Sequence, residues 1–302
     1  MLSLAIAASC AIGLAAIESA QPLPPSSAGG PDSKLLEDLA YANRILFDQG
    51  VFDGFGHISV RHDKDPGRFL LARNTAPALV TPADIMEHDL QGQPLNLGNR
   101  RPYLERFIHA GIYRARPDVI SVVHSHSASV IPFGATGTNL RPISHMAGFL
   151  GAGAPIFEIR EFGGITDMLI SDNSLADGLA KVLGNHAVAL MRGHGSVVVA
   201  SSIHLAVWRA VYTEINARLQ NDATRLGPIN FLTPEEGAQA ATTNEGQTMR
   251  SWDLWKARIG SLDKPTIQRE IAALTRGEEF AISMATRSLQ NPRKKDETRD
   301  HA

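Results

Sequence analysis

The chain has 302 residues, 43% of them hydrophobic and 20% charged, with a formal net charge of −2 at pH 7. At ~150 residues per domain, that length allows one large domain or two small ones able to bury a sizeable core. No basic stripe is present, which excludes a nucleic-acid partner, because a phosphate footprint needs clustered Lys and Arg. Cys10 is the only cysteine, so neither a disulfide framework nor a thiolate metal site is available and any metal must be held by His and carboxylates.

The stretch from Leu2 to Ile17 is apolar and leads through Ala20-Gln21 into the Pro/Ser/Gly segment 22–31. It resembles the apolar region and cleavage site of a secretory signal, although no Lys or Arg precedes it, and it is short for a membrane span of ~20 residues. Residues 1–32 therefore read as a leader and linker, with export to the periplasm favoured over a cytoplasmic location and no membrane anchoring. Ordered structure is expected from Ser33, whose hydroxyl can cap a helix over 34–49 that stops at Gly50. Strands are expected at His57–Arg61, Phe69–Ala72 and Ile85–Leu90, then a helix from Tyr103 to Arg114 opened by Pro102. The β-branched run Asp118–Ser125 reads as a buried strand, Asp172-Asn173 as the start of a helix to Leu183, and Ala187–Met191 and Ser196–Ala200 as two further strands. A long helix, Ser202–Asn221, and an amphipathic stretch over 245–259 follow. Residues 33–285 read as one domain and 286–302 as a charged tail with too little apolar surface to fold.

Val122-Val123-His124-Ser125-His126-Ser127 carries the strongest chemical signal. Residues i and i+2 of a strand face the same side, so both imidazoles project together from the end of a buried strand as a pair of metal ligands. Met191-Arg192-Gly193-His194-Gly195 supplies a third ligand at the end of another apolar strand. Three histidines with an open position are the arrangement of a catalytic metal rather than a structural one. Glu105, at the start of the expected helix, is a candidate fourth ligand or general acid/base. His109, one turn further on, reads as a supporting or packing residue, and His145 as a loop residue near the site.

Taken together, Gly56-His57-Ile58-Ser59-Val60-Arg61, the run from Glu105 to Val119 (ERFIHAGIYRARPDV), the V-H-S-H-S element and Arg192-Gly193-His194-Gly195 resemble the class II aldolase/adducin family over roughly residues 34–225. The resemblance implies an α/β fold, a three-layer α/β/α sandwich around a mixed or antiparallel sheet, commonly assembled as a homotetramer with active sites between subunits. It implies a divalent ion, zinc first and manganese, cobalt or iron(II) as alternatives, on His124, His126 and His194, with Glu105 as the catalytic acid/base. Sugar-phosphate members usually carry Gly-Asn where this chain has Gly56-His57, a hydroxyl-glycine element where it has Ala76-Pro77-Ala78, and small hydroxyl residues where it has Tyr103-Leu104. Those changes remove part of a phosphate cradle, which needs short hydroxyls and free amides. His57, Ser59, Arg61 and Arg73 are then the expected substrate contacts, with the arginines offering bidentate geometry to a carboxylate. The resulting expectation is a metal-dependent lyase that cleaves a carbon–carbon bond of a small hydroxy-carboxylate, by decarboxylation or retro-aldol reaction through an enolate. Its rivals are a sugar-phosphate aldolase or epimerase, an iron oxygenase on the same site, and a non-catalytic adducin-like module. The last is disfavoured because all three histidines and Glu105 are present.

Overall fold

The first helix, α1 (Ser33–Asp48), begins one residue before the expected start, because the Asp32 carboxylate caps it by accepting a hydrogen bond from the Lys34 amide at 2.8 Å. The computed structural model describes residues 29–260; the leader and charged tail expected from the sequence fall almost entirely outside them. Three short strands follow, β1 (His57–Arg61), β2 (Arg68–Ala72) and β3 (Ile85–Asp89), paired in antiparallel succession. Next come α2 (Arg106–Ala115), β4 (Ser121–Ser125), α3 (Ile131–Thr136), β5 (Ile156–Phe157) and α4 (Arg160–Gly163). The chain continues through α5 (Asn173–Leu183), β6 (Val188–Met191), β7 (Gly195–Ala200), α6 (Ile203–Ala223), α7 (Pro234–Glu245) and α8 (Thr248–Ile259).

The strands form one seven-stranded sheet in the order β3-β2-β1-β4-β7-β6-β5, antiparallel throughout except for the parallel pair β5–β6. Helices cover both faces, giving the three-layer α/β/α sandwich. Strand β1 shows how the layers are set. Side-chain alternation sends His57, Ser59 and Arg61 toward α2 and Ile58 and Val60 to the other side, and all five are buried. Helices α1, α6 and α8 pack together on one side, α2 and α5 against each other on the second. Fully buried Trp208, Leu39 and Ile45 anchor the first layer, each burial contributing ~1.5–3 kcal/mol.

Two expectations need correction. Helix α2 starts at Arg106, not Tyr103: the Tyr103 ring lies 4.6 Å from that of His57 and its hydroxyl donates to the Thr75 carbonyl at 2.6 Å, which holds 103–105 out of helical conformation. The amphipathic stretch expected over 245–259 is α8, but a further helix that was not expected, α7, precedes it. Helix α7 is closed by a reciprocal capping box between Thr233 and Glu236, while α8 buries Trp252, Trp255 and Ile259.

Candidate active site

His124 lies on β4 and His126 just past its end. His194 stands in the three-residue turn between β6 and β7, and Glu105 occupies the cap position before α2. The turn is possible because Gly193 takes a positive φ of 65°, and Arg192 ties it down through an ion pair with Glu158. Gly195 pairs with Met191 at the base of this hairpin and lies against the Ser125 carbonyl of β4, so the two histidine-bearing turns are drawn together across the sheet. On the far side of His126, Glu214 of α6 accepts hydrogen bonds from the hydroxyls of Ser127 and Ser129 and from the Ser129 amide, fixing the segment that leaves the site.

The four donors converge, with ligand atoms all within 4.8 Å of one another. His126 Nε2 is 3.3 Å from His124 Nε2 and 3.1 Å from His194 Nε2, while Glu105 Oε2 lies 3.4 Å from both His124 Nε2 and His194 Nε2. Donors ~2.0–2.1 Å from a shared tetrahedral ion stand about 3.3–3.4 Å apart, so these spacings fit one small divalent cation. The tautomer of His124 agrees with that. His124 Nδ1 donates to the Ser196 carbonyl at 3.1 Å, which leaves the Nε2 lone pair facing the centre, the usual way a ligating imidazole is oriented. Burial, reinforced by the charges of His124 and His194, lowers His126 to about 4, so it is a neutral ligand at physiological pH. For Glu105, burial would raise the carboxyl, but the neighbouring His124 and His194 outweigh it and hold it well below the usual carboxylate range. Its second oxygen, Oε1, accepts from the Ile170 amide at 3.0 Å, at the end of a loop in which Met168 adopts a left-handed φ of 73°.

Glu105, His124 and His126 of this cluster form one wall of a cavity of about 400 Å³. The other walls are Gly54, Phe55, Gly56, His57, the 74–76 segment, Tyr103, Leu104 and Leu169. They are mainly apolar, and no Lys or Arg is among these described residues. Phe55 and Leu104 stand exposed at the rim.

The structure places the four expected substrate contacts differently. His57 reaches the cavity, paired in register with His124. Ser59 does not: its hydroxyl is fully buried, 2.6 Å from His109 Nδ1 and 2.8 Å from the Tyr113 hydroxyl. Arg61 is turned to the fold instead, donating to the carbonyls of Val119, Pro66, Tyr113 and Arg116 at 2.7–3.1 Å and stacking on Tyr113. Arg73 pairs with Asp84 at 2.8 Å beside the cavity-lining Asn74, outside the lining itself. Alternation on β1 puts residues 57, 59 and 61 on one face, but α2 covers that face and only its first position is left open. His145 is exposed on a short helical turn whose carbonyl accepts from Asn244, and does not line the cavity. Phe55, Leu169 and the Ile170 amide were missed; nothing local in a loop sequence marks them. Ala76, Tyr103 and Leu104 belong to the two elements, Ala76-Pro77-Ala78 and Tyr103-Leu104, that the sequence singles out.

The family model for the class II aldolase and adducin N-terminal domain matches residues 37–221. The decarboxylase tropJ of Talaromyces stipitatus is 38% identical over 239 residues, covering 71% of this chain and 90% of that protein. The 3,4-dihydroxyphthalate decarboxylase of Arthrobacter keyseri is 31% identical over 242 residues, covering 75% and 93%. Among solved structures, the L-fuculose 1-phosphate aldolase of Glaciozyma antarctica superposes with a TM-score of 0.63 over 77% of this chain and 96% of that one, at 21% identity, a likeness of fold.

Proposed function

The chain belongs to the class II aldolase and adducin family, and on that premise we propose that it is a divalent-metal-dependent decarboxylase of a hydroxylated aromatic carboxylate. The observation that carries this reading is the cavity: a mostly apolar slot about 400 Å³ in volume, opening on Glu105, His124 and His126 of the four-residue cluster, without a lysine or arginine in its described lining. A sugar phosphate would bring a dianion to walls that offer no fixed cation, whereas a flat ring with one carboxylate suits Phe55, Tyr103, Leu104 and Leu169. Relatives named as decarboxylases of a hydroxylated phthalate and in a fungus support the same choice.

His124, His126 and His194, with Glu105, would hold the ion. A cation bound there supplies Lewis-acid stabilisation of the negative charge left when the carbon–carbon bond breaks. The Ile170 amide fixes Glu105 by Oε1, and Oε2 is the oxygen that faces the cluster, 3.4 Å from both His124 Nε2 and His194 Nε2. Held ionised, Glu105 is a base: it takes the proton of the substrate hydroxyl, and after CO₂ departs, leaving its electron pair on the ring carbon, it returns that proton to the carbon. The apolar walls exclude water from the developing charge.

A panel of 2-hydroxybenzoates and dihydroxybenzoates tests this reading, with CO₂ release followed alongside aldehyde release from ketose 1-phosphates. Turnover of at least one aromatic acid, with ring-proton incorporation from solvent, is expected. Aldehyde release without CO₂ would replace this reading by aldol cleavage.

A further inference from the structure

Behind the cavity wall runs a hydrogen-bonded chain of four buried side chains. His57 Nδ1 is 2.7 Å from His109 Nε2, His109 Nδ1 is 2.6 Å from Ser59 Oγ, and Ser59 Oγ is 2.8 Å from the Tyr113 hydroxyl. The residues come from β1 and α2, and His109 and Ser59 are wholly inaccessible. Each member has one proton to place along the line, so the direction of one bond sets all the others.

The Tyr113 end sets it. Its hydroxyl proton can go to Ser59 at 2.8 Å or to the Ile120 carbonyl at 3.3 Å. The second is beyond the usual O–H···O range of ~2.5–3.0 Å, and that carbonyl already accepts the Arg61 amide at 2.7 Å. With Tyr113 donating to Ser59, the Ser59 proton goes to His109 Nδ1. His109 then carries its proton on Nε2 and donates to His57 Nδ1, and His57 is left with Nε2–H on the cavity side. A second observation agrees. His57 lies beside His124 with ring centroids 5.1 Å apart, yet it is not among the converging ligand atoms, as suits a nitrogen that carries a proton rather than a lone pair.

We propose that His109 is a positioning residue that locks His57 in its Nε2–H tautomer, so that His57 donates a hydrogen bond to the substrate carboxylate. The role of the carboxylate rests on the decarboxylase reading; the tautomer does not. His57 thereby supplies the anion contact that Arg61 and Ser59, spent on the fold, do not, and it selects a carboxylate-bearing ligand without adding a charge to the metal wall.

Zinc-loaded protein labelled with ¹⁵N-histidine tests the tautomer directly. Long-range ¹⁵N–¹H correlation distinguishes Nε2–H from Nδ1–H rings, and the spectrum of His57→Gln assigns the signal. An Nε2–H pattern for His57 in the ligand-free protein is expected; an Nδ1–H or exchange-averaged pattern overturns the proposal whatever the reaction proves to be. Salicylate binding by calorimetry then reads the consequence. His109→Phe should weaken it about tenfold or more, the worth of a hydrogen bond to a charged group, with zinc content unchanged. His109→Gln, whose amide can accept from Ser59 and donate to His57, should restore it. Unchanged salicylate affinity in a folded His109→Phe protein would overturn the positioning role. A confirmed tautomer in a protein that releases no CO₂ would instead sink the decarboxylase reading and leave this one standing.

Discussion

Adding one methyl group at Gly195 should dismantle the histidine cluster without removing a single donor. A Cβ built there would stand 2.0 Å from the Ser125 carbonyl oxygen, 3.0 Å from its carbon and 3.2 Å from the His126 Cα. All three are backbone atoms, so no side chain can swing aside. Relief to ordinary contact requires β7 to retreat from β4 by about 1–1.5 Å. That is a large fraction of the 3.1 Å that separates His126 Nε2 from His194 Nε2. A displacement of about 1 Å at a reacting centre costs ~10²-fold in rate, and overpacking at a tight contact costs ~1–3 kcal/mol in stability. The control is Gly193→Ala two residues earlier. Its Cβ would meet only Met168 Cε, at 3.7 Å, so its cost is the left-handed backbone, about 1–2 kcal/mol. Zinc retained after dialysis, turnover and thermal unfolding, measured on both variants, separate the two effects. Gly195→Ala should lose metal and activity together, while Gly193→Ala should lose stability but keep its zinc. A Gly195→Ala protein with wild-type zinc content and turnover would refute the close approach of β4 and β7 as the device that assembles the site.

Glu105→Gln should keep the Ile170 contact through its amide oxygen yet cut turnover by ~10²–10⁴, the usual worth of a positioned acid/base; near-wild-type turnover would reduce Glu105 to a helix-cap carboxylate. Acid stability should depend on His88, which is fully buried on β3 against Phe69, with no hydrogen-bond partner on either ring nitrogen among the described residues. Burial, with the nearby Arg106 charge, lowers it from 6.5 to about 4. The unfolded chain therefore takes up a proton that the fold refuses between those values, and stability present above pH 6.5 is lost as pH falls toward 4. At pH 5 that loss is about 2 kcal/mol. Urea unfolding at pH 7 and pH 5 should show His88→Phe narrowing the gap between the two conditions by about that amount, and an unchanged gap would contradict a buried neutral His88.

The convergence of the three histidines was legible because it is carried by local rules. Alternation along a buried strand sets His124 beside His126, and a glycine-flanked turn between two apolar strands presents His194. Alternation also puts His57, Ser59 and Arg61 on one face of β1. Which of them touches the cavity is decided by α2, a helix nearly fifty residues away in sequence, and strand periodicity contains no such information. The start of α2 was misread for a related reason. Pro102 is a sound helix opener locally, but the Tyr103 hydroxyl finds the Thr75 carbonyl, and that tertiary bond delays the helix until Arg106. Helix α7 could have been read from Thr233-Pro234-Glu235-Glu236, a capping box with proline in the first turn. Phe55, Thr75 and Leu169 could not, since they come from separate loops joined only by the folded sheet.

The central claim is that the three histidines and Glu105 hold one divalent ion without which no carbon–carbon bond is cleaved. Its most direct test is a titration: chelator-stripped protein receives zinc or manganese in sub-stoichiometric steps while CO₂ release from a hydroxybenzoate substrate is recorded. Activity should rise from zero and level off at about one ion per chain, and His126→Ala should abolish the plateau. Full activity in the stripped protein, or a plateau unaffected by His126→Ala, would contradict it.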